Sequence, residues 1–145
     1  MDGINRLNRP LKYALLSAAS AGLIASFLIA FLIDMLNFLF VPSVILAVFL
    51  SAFFAFRRQM RGRGELETSR IFKLALEVGT VSHVYAFAIY LPFNFFLYEF
   101  HGVDVELFFT YIFFTLAMSF FSILMYVWIA VPMYLGIGFF IRAIE

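Results

Sequence analysis

A chain of 145 residues that is 65% hydrophobic and 13% charged, with a mean hydropathy of +1.02, lies outside the range of water-soluble domains. Its formal net charge of +1 gives no ground for expecting nucleic acid as a partner, and the absence of cysteine excludes disulfides, thiolate nucleophiles and cysteine-ligated zinc or iron–sulfur sites. Four apolar spans of roughly 20 residues each would use up most of the length, leaving no room for a soluble catalytic domain.

The first apolar stretch, Leu11 to Ile33, is too long for a signal-peptide core and has no small-residue cleavage pattern behind it, so it reads as span one. Pro10 suits the first helical turn, where its missing N–H costs nothing. Along this span Ala14, Ala18, Ala21 and Ala25, with Gly22 and Ser26 beside them, form a stripe of small residues. Such stripes let helix backbones approach closely, which in lipid is the main source of helix association. The segment Asp34-Met35-Leu36-Asn37 makes a very short outer turn, pairing span one with span two (38–56) in a helical hairpin. Pro42 lies in the first turn of span two, and Arg57-Arg58 stops it at the inner headgroups.

The inner loop, 57–70, is the only clearly polar stretch, and Arg-Gly-Arg-Gly at 61–64 reads as a flexible turn. Arg57, Arg58, Arg61 and Arg63 are candidates for anionic headgroups or phosphate, set against the plainer role of fixing topology. Span three starts near Ile71 and extends to about Pro92. Run on to Tyr98 it would measure about 42 Å, more than a hydrocarbon core of roughly 30 Å, so Pro92 is expected to kink or end it. Ala75, Gly79, Ser82 and Ala86 form a second small-residue face, and spans one and three are expected to touch through these stripes.

Span three also carries Glu77 and His83, the two ionisable residues expected inside the membrane and therefore site candidates. Glu77, one turn beyond Lys73, can form an i,i+4 pair and reach the inner surface. His83 lies near the expected bilayer midplane. It either bonds a hydroxyl or carbonyl of a neighbouring helix or serves as a proton-accepting or ligand-binding imidazole, with Thr80 lining the same path. The outer loop, 99–106, holds Glu99, His101, Asp104 and Glu106, a weak cation candidate that matches no standard ligand spacing. We expect no metal and no cofactor: two histidines 18 positions apart, one of them in a loop, cannot ligate one haem within a chain.

The final apolar run, Leu107 to Ile141, would measure about 52 Å as one helix. Pro132, Gly136 and Gly138 therefore predict a crossing (107–131) that ends near Val131. Met133 to Ile141 would then be bent along the inner interface or folded back. Trp128, Tyr126 and Tyr134 fit an inner aromatic belt.

All ten basic residues fall on one side of these four spans. Arg6, Arg9 and Lys12 lie before or at the head of span one, six more lie from Arg57 to Lys73, and Arg142 follows span four. Retained positive charge marks cytoplasmic loops, so both termini and the central loop are expected inside. Lys12-Tyr13-Ala14-Leu15 at the head of span one is echoed by Lys73-Leu74-Ala75-Leu76 at the head of span three, which suggests two hairpins in tandem.

The paired hairpins, with Ser51-Ala52-Phe53-Phe54-Ala55-Phe56-Arg57-Arg58 as an aromatic span end running into arginines, resemble the small four-span proteins of the GtrA-like group. That resemblance covers most of the length and implies movement of polyprenyl-phosphate-linked sugars across a membrane. The chain departs from it in having no acidic or Asn residue in the middle of spans one and two. The residues themselves favour a single-domain, all-α, four-span membrane protein with no enzymatic activity. No Walker loop, dinucleotide fingerprint, zincin motif or nucleophile elbow occurs. The expected role is an accessory or scaffold subunit in contact with the bilayer, with anionic lipid at the cytoplasmic face and with other membrane subunits or copies of itself. A small oligomeric translocator or a homo-oligomeric channel is the alternative. A prokaryotic cytoplasmic membrane is the expected location, an organellar one the alternative.

Overall fold

The computed structural model describes the backbone of residues 2–31, 39–59, 66–98 and 105–144, and side chains within 8–27, 39–59, 66–93, 106, 109–110 and 112–144. These residues form four helices, α1 (Asp2–Phe31), α2 (Phe40–Gln59), α3 (Thr68–Tyr98) and α4 (Val105–Ala143). Each is long and apolar enough to cross a membrane. The expected outer turn at Asp34 to Asn37 lies outside the described residues.

Neighbouring helices run antiparallel, as the side-chain pairings show. Tyr13 packs on Phe56 and Gly22 on Ile45, so higher numbers in α1 meet lower numbers in α2. Between α2 and α3, Arg58 meets Glu77 whereas Phe40 meets Phe87 and Tyr90. Between α3 and α4, Thr68 meets Arg142, Gly79 meets Val131 and His83 meets Ser122. Helices adjacent in sequence are adjacent in space, and α1 closes on α4 less extensively. Spans one and three do not touch as expected: among the described residues no Cα of α1 comes within 8 Å of one in α3, so they occupy a diagonal of the bundle. The small residues instead face the flanking helices, Gly22 against α2 and Gly79 against α4.

The basic end is closely packed. Tyr13, Ala14, Phe56, Ile71, Leu74, Ala75, Val78 and Ile141 are almost wholly buried there. The echoed tetrapeptides occupy equivalent positions: Tyr13-Ala14 and Leu74-Ala75 are interior, while Lys12 and Lys73 point outward. Arg57 and Arg58 sit in the last turn of α2 and Arg142 in the last turn of α4, where cations complement the helix dipole.

Two proline expectations change in the structure, and of a third, that Pro92 kinks or ends α3, only the ending is overturned. α1 begins at Asp2, so Pro10 lies inside the helix rather than in its first turn. α3 continues past Pro92 to Tyr98. α4 runs on through Pro132 for 39 residues, about 58 Å, instead of ending near Val131. The reason is tertiary: Tyr134, Gly138 and Ile141 are buried against the other helices, and this packing outweighs the backbone bond that a proline removes. Gly138 is therefore a point of close approach, where an added Cβ would stand 2.5 Å from Ile71 Cγ2; Gly136 faces open space.

Candidate functional site

Hydroxyl groups in these helices mostly turn back on their own backbone. Ser26 donates to Gly22 O at 2.8 Å, Ser43 to Leu39 O at 2.8 Å, Thr80 to Leu76 O at 2.9 Å and Ser119 to Thr115 O at 2.6 Å. This is what apolar surroundings demand, because a polar group in lipid must be satisfied locally. Side-chain bonds between helices are accordingly informative.

His83 makes one of them. Its Nδ1 lies 2.6 Å from Ser122 Oγ of α4, and its ring stacks at 6.5 Å on Tyr126. The hydroxyl can donate or accept, so either neutral tautomer is served, and Nε2 remains as the ring's second hydrogen-bonding position. These residues border a cavity of about 90 Å³ that also touches α1 at Ala21 and α2 at Phe40. The space is well below the several hundred Å³ of a usual small-molecule site, and its walls are chiefly aliphatic and aromatic. In this arrangement it admits a group of a few heavy atoms, not a sugar or a haem.

Glu77 makes another. It forms an ion pair with Arg58 across the α2–α3 seam and accepts a hydrogen bond from Gln59 Nε2 at 3.1 Å. The expected partner, Lys73, is replaced by one from the neighbouring helix, because α2 ends level with Glu77 while α3 continues beyond it. Glu77 and His83 thus serve different seams, as six residues along a helix dictate. Thr80, between them, is occupied with the carbonyls of Leu76 and Glu77.

Among the arginine candidates, Arg57 lies over the Phe53 ring at 5.6 Å and Arg58 holds Glu77; Arg61 and Arg63 lie outside the described residues. Of the weak metal candidates, Glu106 is exposed in the first turn of α4, and Glu99, His101 and Asp104 lie outside the described residues. Among the described residues no group of three potential ligands forms. The small-residue sets are interior: Ala14, Ala18, Ala21, Gly22 and Ala25 on α1, and Ala75, Gly79, Ser82 and Ala86 on α3. The aromatic belt is only partly present. Trp128 is exposed, but Tyr126 stacks on His83 and Tyr134 is buried, its carbonyl accepting from the Tyr13 hydroxyl at 3.3 Å.

Reading the sequence missed Ser122, Tyr126 and Tyr13 as interhelical partners. A signal was available for α4: Thr115, Ser119, Ser122, Tyr126, Ala130, Tyr134 and Gly138 recur every three or four residues in a run of bulky apolar side chains, marking the one face turned inward. No protein-family model, curated protein or solved structure matches this chain, so the GtrA-like resemblance remains one of layout.

Proposed function

We propose that this protein is a non-enzymatic accessory or scaffold subunit of a membrane assembly, docking through α4. The observation that carries this reading is the bareness of that helix. Only 6% of its membrane-spanning window is buried within the bundle, against 39–44% for the other three. Phe109, Phe113, Phe114, Phe120, Phe121 and Trp128 cover it with large exposed side chains. A stretch that buries so few of its side chains within its own chain is suited to lie between this bundle and a neighbour. The interior supports the same reading, since its hydroxyls are largely spent on their own helices and its central cavity is small. With basic residues gathered at one end, the proposed orientation has both termini and the 57–70 loop on the cytoplasmic side, most simply of a prokaryotic cell membrane.

The test is a photo-crosslinking amino acid placed at Phe113 or Phe121, activated in native membranes, with native mass spectrometry of the particle released in lipid discs. Adducts to other polypeptides in fixed stoichiometry are expected. Adducts to lipid alone, from a monomeric particle, would sink the accessory reading. A homo-oligomer would favour the translocator, with Glu77, Thr80 and His83 the first residues to substitute.

A further inference from the structure

The cleft between α2 and α3 holds a buried hydroxyl that, like that of Ser17 on α1, departs from the rule most helical hydroxyls follow. Ser51 is 5% exposed and its Oγ has no hydrogen-bond partner. Ser51 borders a cavity of about 300 Å³ between the helices, lined also by Ala55, Arg58, Glu77, Val81 and Tyr85, while its Oγ itself is covered by neighbouring atoms. Arg58 lies seven residues further along α2, about 10 Å nearer the basic end. The space therefore has two levels along α2: an ion pair at Arg58 and, a turn or two deeper, an idle hydroxyl that a side-chain rotation would turn toward the cavity.

The ion pair is lopsided. The Arg58 side chain is 70% exposed, whereas that of Glu77 is 19% exposed and is also held by Gln59. The guanidinium can swing outward at little cost; the carboxylate stays. An anion entering alone would take Arg58 and leave Glu77 unpaired. A zwitterion replaces both partners, and a primary ammonium can donate to the carboxylate where a quaternary one cannot.

We propose that this cleft seats one aminophospholipid. Its ammonium bonds Glu77, its phosphate bonds Arg58, and an ester carbonyl below accepts from Ser51 Oγ once that side chain rotates toward the cavity. The acyl chains then leave over the exposed Phe54 and Tyr85 side chains. The proposal is independent of what docks on α4.

The full chain would be reconstituted in discs of phosphatidylcholine doped with either phosphatidylethanolamine or phosphatidylglycerol, and the lipid retained on transfer to detergent measured by native mass spectrometry. Phosphatidylethanolamine should be retained about tenfold over both others, the worth of one charge-assisted hydrogen bond. Glu77→Gln should abolish that preference and Ser51→Ala reduce it, while Lys73→Gln, an exposed charge at the same end, leaves it intact. Equal retention of all three lipids, preference for phosphatidylglycerol, or loss of preference in Lys73→Gln would overturn the proposal. Displacement of the lipid by soluble phosphoethanolamine would also overturn it, by showing that a free headgroup compound is the ligand. Each variant's helicity by circular dichroism separates lost selectivity from lost folding.

Discussion

Tyr13, Phe56, Leu74 and Ile141 are at most 1% exposed at the basic end of the bundle, whereas Phe113, Phe121, Met125 and Trp128, towards the other end of α4, are 62–80% exposed. Both sets are large and apolar, so hydrophobicity does not distinguish them. The basic end is built where glycine, alanine and serine let backbones approach, and bulky side chains fill what remains. In α4 the small and polar residues form one narrow face, and much of the rest is exposed phenylalanine that no described helix covers. In lipid, association follows fit rather than apolar area, and the two halves of α4 illustrate that difference within one element.

The contrast should break first at Gly138. Replacement by Leu drives a side chain into fully buried, β-branched Ile71, an overpacking of about 3 kcal/mol or more. In SDS-titrated unfolding, Gly138→Leu should lose the folded state. Gly136→Ala, two residues away and facing open space, should be neutral or stabilise by up to about 1 kcal/mol. If both behave alike, Gly138 is not a contact that holds α4 to α3. A smaller effect is expected for Tyr13→Phe, which removes the hydroxyl bonded to the Tyr134 carbonyl at 3.3 Å. Interhelical bonds in membranes average about 0.6 kcal/mol, so a modest fall in thermal stability is expected, with faster hydrogen exchange where α1 meets α4. The smallest change should follow Phe113→Ala, which alters an exposed site by no more than about 0.5 kcal/mol in the isolated protein. Its consequence should appear in the yield of any co-purifying partner instead. An isolated variant destabilised as strongly as Gly138→Leu would show that this half of α4 is packed after all.

Charge was the most legible part of the sequence. Placing Arg57 or Arg142 in hydrocarbon is so costly that their positions mark the span ends whatever the packing. The small-residue faces were legible for a similar reason, since Ala75 and Gly79 have little purpose on a lipid-facing side. What each face meets was not legible, because every side of a span is apolar and nothing in one helix names its neighbour. Spans one and three were therefore matched to each other when they pack on α2 and α4. Glu77 taught the same lesson: the nearest base in sequence was Lys73, but where α2 stops decided in favour of Arg58. Pro132 and Gly138 looked like a break because local propensity says so, and only the depth of the groove beside Ile71 overrides it.

Pro132 has a mechanical consequence. With no N–H to offer, it deprives the Trp128 carbonyl of its helical donor, and it does so where the more buried part of α4 gives way to the more exposed part. α4 is thus held to α3 on both sides of Pro132 but lacks one backbone hydrogen bond in the turn between them. A sideways push on its phenylalanine-rich length, from a bound neighbour or a change in bilayer thickness, will concentrate bending at that turn. Tyr134 stands two residues further on, its carbonyl accepting from Tyr13, so that turn lies beside a contact with the first helix.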